Sequence, residues 1–103
     1  MAAYVIAIYD IVDAKAYEPY VPGVIPLLRK HGAEILVAEY DAQVLEGDRG
    51  STYVVLRFES EEAALDWYND PAYGPIKKIR LSASENGKVV LAKPFVPGSS
   101  GPS

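Results

Sequence analysis

Apolar residues along the chain alternate between a period of two and a period close to 3.6. In "AYVIAIYDI" (3–11) β-branched and aromatic residues crowd both faces of an alternating pattern. Tyr4, Ile6 and Ile8 point one way, and Ala3, Val5, Ala7, Tyr9 and Ile11 the other. The composition predicts a strand that closes near the turn-prone Asp10. From 12 to 32 the period lengthens. Tyr17, Val21, Val24, Leu28 and His31 recur at spacings of four and three, one stripe of a helix, with Asp13 as N-cap and Gly32 as stop. Pro19, Pro22 and Pro26 interrupt it. An interior proline costs about 3 kcal/mol, so a straight helix is not expected. The pattern predicts a short helical turn, a break near Pro22-Gly23, and a second segment to about His31. Pro22 fits that segment's first turn, where its missing N–H costs nothing.

"AEILVAEY" (33–40) predicts the second strand, and 42–47 either extends it or forms a short partner. "DRGS" (48–51) predicts a turn, and "TYVVLRFE" (52–59) a third strand with Thr52, Val54, Leu56 and Phe58 on one face. Ser60 caps a helix whose first turn carries Glu61 and Glu62, suited to the positive end of the dipole. That helix runs through Trp67-Tyr68 and stops before Asp70-Pro71; another follows at about 72–82. Asn86-Gly87 reads as a turn and "KVVLAKPF" (88–95) as the last strand. Residues 1–96 form one domain, and 97–103, rich in Pro, Gly and Ser, are expected to be a flexible tail.

The predicted order is β-α-β-β-α-β with an additional helix late in the chain. This is the split-βαβ, ferredoxin-like arrangement, an α+β fold with a four-stranded antiparallel sheet and helices on one face. The sheet's other face is expected to show Val5, Ala7, Tyr9, Tyr53, Val55, Val90 and Ala92 to water. Contiguous apolar patches of that size are rare on soluble monomers, so a homodimer joined through the sheet face is expected.

Composition narrows the function classes. The chain has 103 residues and a formal net charge of −4. Phosphate neutralisation supplies most nucleic-acid affinity, and the one basic cluster is Lys77-Lys78-Ile79-Arg80, so no nucleic-acid partner is expected. No apolar run reaches the roughly 18 residues of a membrane helix, so no membrane partner is expected either. "MAAYVIAIYD" lacks a basic n-region and carries Asp10 early, unlike a signal peptide. Together with zero cysteine, this points to a cytoplasmic protein without disulfides or thiolate chemistry. No dinucleotide, phosphate-loop or nucleophile-elbow motif is present, and no cofactor or metal site is expected.

Several stretches together resemble the bacterial family called domain of unknown function 1330, within the dimeric α/β-barrel superfamily. They are "YVI" at 4–6, the spaced Asp13, Tyr17 and Tyr20, "VLEGD" at 44–48, "VVLRFES" at 54–60, and Ala63 with "WYNDPAY" to Tyr73, followed by Arg80. The resemblance covers about 3–95. It implies a ferredoxin-like fold and barrel-forming dimers but no established reaction. Relatives in the superfamily include cofactor-independent monooxygenases and isomerases of small molecules. Where the family commonly has Arg-Gly-Gly, this chain has Ala38-Glu39-Tyr40; Ala33 and Arg49 also replace a glycine and a tryptophan. A ligand contact made by that arginine would be lost or moved here.

Candidate chemistry centres on few residues. His31 is the only histidine, which leaves it as a helix-terminal residue on free carbonyls or as a general acid/base. Arg80 follows Tyr73 by seven and Ile76 by four, on an inward or bordering stripe. It is either ion-paired, with Asp66 or Asp70, or an anchor for a ligand carboxylate. His31 and Arg80 are the candidate catalytic pair. Tyr9, Tyr17, Tyr20, Tyr53 and Trp67 are candidate ligand-binding residues, and the tyrosines serve equally well to join a dimer. The expected function is cofactor-independent chemistry on a small organic acid, non-catalytic binding of such a ligand, or a purely structural dimer.

Overall fold

The first strand, β1 (Ala3–Ile11), lies inside the sheet because both its edges are paired. β3 (Thr52–Phe58) runs antiparallel along one edge and β4 (Ser84–Ala92) along the other, while β2 (Glu34–Glu39) adds outside β3. The order is β2-β3-β1-β4. Four helices connect them: α1 (Ala14–Tyr17), α2 (Tyr20–Lys30), α3 (Glu61–Tyr68) and α4 (Tyr73–Ala83). This is the ferredoxin-like α+β fold. The structure is a computed structural model and describes residues 1–48, 50–98 and 101. Arg49 and most of the expected tail lie outside the described residues.

The helices form where their caps and stripes allow. Asp13 accepts from the Ala16 N–H at 3.1 Å and Ser60 from the Ala63 N–H at 3.0 Å, each satisfying an otherwise free donor. The break in the first helical stretch falls at Glu18-Pro19, not at Pro22-Gly23. Pro22 sits within the first turn of α2 as the missing N–H permits. Gly23 is a packing site rather than a break. A Cβ there would lie 2.7 Å from Ile76 Cδ1, so glycine lets α2 and α4 approach closely. Pro26 stands inside α2.

The core lies between the helices and one sheet face, and it corrects the expected parity of β1. Val5 and Tyr9 are buried with Leu56, Phe58, Val24, Leu28, Ala64 and Trp67. Val5, Ala7 and Tyr9 thus face the helices rather than water. Tyr4, Ile6 and Ile8 occupy the outer face, opposite Arg57, Val55 and Tyr53 on β3 and Ala92, Val90 and Lys88 on β4. The expectation for Tyr53, Val55, Val90 and Ala92 holds. Both parities of β1 are apolar, so alternation alone does not choose between them. Each buried Leu or Val contributes about 1.5–3 kcal/mol, and the aromatic-rich inner set holds the larger share.

Two irregularities also differ from expectation. Asn86-Gly87 is not a turn. β4 already begins at Ser84, and Asn86, with φ 55°, forms a bulge where the register shifts between Ile8 and Asp10. Residues 42–47 form neither a strand extension nor a partner strand. The loop they belong to is pinned at its far end. Asp10 accepts from Gly50 N–H at 3.2 Å, Ser51 N–H at 3.0 Å and Asn86 Nδ2 at 3.1 Å. Gly50 has φ +83°, and a Cβ there would run into Ile8 Cγ2. Gly50→Ala is therefore expected to destabilise the fold by about 1–3 kcal/mol, measured as a lower urea midpoint at unchanged slope.

Candidate functional site

α4 carries Tyr73 and Arg80 seven residues apart, two helical turns, so both project from one stripe. That stripe faces the sheet. Arg80 is 4% exposed and Tyr73 1% exposed. α1 and α2 bring Tyr17 and Tyr20 to the same space, β1 brings Tyr9, and α3 closes one side with Trp67. They surround a cavity of about 80 Å³, against the roughly 10–15 Å³ that one buried water occupies. Its sheet side is aliphatic, built from Val5, Ala7, Val54, Leu56 and Val89. Ala38 and Tyr40, at the end of β2, complete the lining, and Tyr40 is half-exposed.

The polar groups of the cavity are phenols and one guanidinium. The Tyr9 and Tyr17 hydroxyls are hydrogen-bonded at 2.6 Å, and those of Tyr20 and Tyr73 at 2.7 Å. The Arg80 guanidinium lies 5.7 Å from the Tyr9 ring centroid, within the range of a cation–π contact. Burial pulls the Arg80 pKa down, but the Tyr73 and Tyr20 oxygens outweigh it and leave the net shift upward. The guanidinium stays charged. Burial raises the phenols of Tyr9, Tyr17 and Tyr20 above their ordinary value, so they stay neutral. Among the described residues no carboxylate pairs with Arg80; the ion pairs are Lys30–Asp70, His31–Asp70 and Arg57–Glu59. The Trp67 Nε1–H, buried in the cavity wall, has no acceptor among the described residues.

Of the residues singled out from sequence, Tyr9, Tyr17, Tyr20, Trp67 and Arg80 line this one volume. Tyr53 does not; it stands opposite Ile8 on the outer sheet face. His31 does not either. Its Nε2 lies 2.8 Å from Asp70 Oδ2, which also takes Lys30 Nζ at 3.0 Å. His31, the Ala72 backbone N–H and Lys30 hold the Asp70 carboxyl well below the usual carboxylate range. Asp70 thus joins the end of α2 to the start of α4 and is the partner of His31, not of Arg80. His31 and Arg80 do not converge. Sequence reasoning passed over Tyr73 and Tyr40 as ligand contacts. The seven-residue spacing from Tyr73 to Arg80 was a usable signal, whereas Tyr40 carried none beyond its place at a strand end. Among the described residues no group of three or more His, Cys, Asp or Glu side chains is placed to hold a metal. Nor, among the described residues, is any helix long and apolar enough to cross a membrane.

The chain belongs to the family described as domain of unknown function (DUF1330), whose model matches residues 2–94. No curated protein matches it. Among solved structures it is similar to a protein of unknown function from Rhodopseudomonas palustris, at 18% identity and TM-score 0.78, covering 93% of this chain and 84% of that one. It is also similar to a dimeric ferredoxin-like protein of unknown function from Jannaschia sp. CCS1, at 10% identity and TM-score 0.72, covering 90% and 99%. A third, a dimeric ferredoxin-like protein of unknown function from Thermobifida fusca, has 16% identity and TM-score 0.62, covering 90% and 92%. At these identities the likeness speaks to the fold.

The raised phenol pKa values give a signed pH dependence. An unfolded tyrosine ionises near its ordinary value of 10.0, while the buried ones keep their protons. Above that pH the unfolded chain binds fewer protons than the folded one, so stability falls as pH rises. A spectrophotometric titration at 295 nm is expected to show these phenols ionising only together with unfolding, while the denaturation midpoint falls above pH 10.

Proposed function

We propose that this protein binds a small organic acid without a cofactor, with the ligand carboxylate held by Arg80. The observation that carries the reading is a buried, charged guanidinium that opens onto a cavity and has no carboxylate partner. An unpaired buried charge is costly, and the fork of a guanidinium fits a carboxylate bidentately. The cavity is also short of acceptors. In each tyrosine pair one hydroxyl uses its proton on the other, and the second proton has no acceptor among the described residues. Arg80 and Trp67 add further donors. An acceptor-only group such as a carboxylate complements that set.

Binding without turnover is the leading form, because the cavity lining holds neither histidine nor carboxylate to move a proton near neutral pH. The donor set would also stabilise charge developing on a bound substrate oxygen. Conversion of a bound oxo acid, followed by NMR, would favour that catalytic form.

The protein is further proposed to act as a homodimer through the outer sheet face. The apolar outer row of Tyr4, Ile6, Ile8 and Val55 supports this, as do the dimeric relatives. Sedimentation is expected to give a dimer and Ile6→Asp a monomer; a wild-type monomer at high concentration would overturn the assembly.

Arg80 is tested by calorimetric titration with benzoate. Saturable binding is expected, weakened at least tenfold in Arg80→Met. A buried charge without a carboxylate partner is costly to keep, so the variant is expected to melt no lower than wild type. If benzoate and simple aliphatic carboxylates leave the wild type unmoved and Arg80→Met melts lower, Arg80 is a structural residue and the reading fails.

A further inference from the structure

The cavity has two donor centres rather than one. The first is Arg80 with the Tyr20–Tyr73 hydroxyl pair. The second is the Tyr9–Tyr17 pair, 2.6 Å apart and buried. Tyr17 links them, since its ring centroid stands 5.3 Å from that of Tyr20 and 6.0 Å from that of Tyr9. A ligand with a single carboxylate at Arg80 leaves the surplus proton of the second pair without an acceptor, and a buried donor left unmatched is unfavourable.

The body between the two centres is also constrained. One side of the cavity is a run of rings: Tyr40 edge-on to Tyr17 at 6.2 Å, then Tyr20, Tyr73 and Trp67, the last two 4.6 Å apart. The facing sheet residues include the small Ala7 and Ala38. A flat unsaturated ring offers a face and an edge to these rings, and aromatic contacts of this kind add attraction beyond the area they bury. A saturated ring of the same carbon count lacks those contacts.

We infer that the ligand is a planar hydroxy- or oxo-carboxylic acid. Its carboxylate sits at Arg80, and a second oxygen accepts a hydrogen bond from the Tyr9–Tyr17 pair. Tyr9 and Tyr17 are binding residues for that second oxygen, and Tyr40, half-exposed at the end of β2, is the wall nearest solvent. This rests on the Arg80 reading above and specifies the rest of the molecule that Arg80 holds.

The test is a calorimetric series with benzoate, the three hydroxybenzoate isomers and cyclohexanecarboxylate, on the wild type and on Tyr9→Phe/Tyr17→Phe. The double variant keeps both ring bodies and removes both hydroxyls, and replacing both partners of a buried hydrogen bond by apolar groups is close to neutral for stability. At least one hydroxybenzoate isomer is expected to bind tenfold tighter than benzoate. The double variant is expected to erase that gain, so that no hydroxybenzoate isomer binds it tenfold tighter than benzoate does. Cyclohexanecarboxylate is expected to bind at least tenfold more weakly than benzoate. If every isomer matches benzoate while benzoate still depends on Arg80, the second oxygen site is wrong and the carboxylate site stands. Equal binding of cyclohexanecarboxylate overturns the planar requirement. Failure of every acid in the series to bind overturns both readings together.

Discussion

A guanidinium held away from water with only phenols around it is the constraint on which the site depends. Arg80 is 4% exposed, and no described carboxylate pairs with it. The surrounding oxygens keep it charged, but they do not neutralise it. Such a residue is tolerated only where its helix is fixed by other contacts. α4 is fixed at both ends and in its middle. Asp70 accepts from the Ala72 N–H at 2.9 Å while tied to Lys30 and His31. Ile76 packs against the bare backbone of Gly23. The Ala83 carbonyl accepts from Val12 N–H at 2.9 Å and Asp13 N–H at 3.1 Å. Arg80 projects from a frame that does not yield when an unpaired charge would favour leaving.

The same frame explains why the tyrosines serve two purposes. Their rings supply much of the apolar mass between helices and sheet, and their hydroxyls are paired so that burial is tolerated. Pairing two identical donor–acceptors leaves one proton over. The core is therefore well packed yet polar in one direction only, which separates a recognition surface from ordinary interior. At the end of β2 an alanine and a tyrosine, Ala38 and Tyr40, line the cavity, and its cation comes from α4.

Much of this was legible in the chain before its fold was known, and the failures have physical reasons. Strand and helix order followed from periodicity and caps, as at Ser60 and Asp13. The face of β1 was not readable, because Tyr4-Val5-Ile6-Ala7-Ile8-Tyr9 is apolar in both parities and only pairing with β3 and β4 decides between them. Asn86-Gly87 reads as a turn in any sequence, but here its left-handed backbone forms a bulge opposite Tyr9. Gly23 resembled a helix break because the close approach of Ile76 is a tertiary fact. Spacing placed Arg80 correctly on the inward stripe. It could not show that Asp70 was already committed to His31 and Lys30, which left Arg80 without a carboxylate and His31 outside the cavity.

The state of Arg80 itself is the most direct measure of this account. In a ¹H–¹⁵N spectrum at neutral pH, the Arg80 Nε–H, assigned by its loss in Arg80→Met, is expected as a slowly exchanging resonance set apart from those of exposed arginines. It is expected to move in a saturable way on adding benzoate and to stay in place with an equal concentration of chloride. An Nε–H that exchanges as fast as those of surface arginines and ignores benzoate would contradict the claim that a buried guanidinium without a carboxylate partner defines the site.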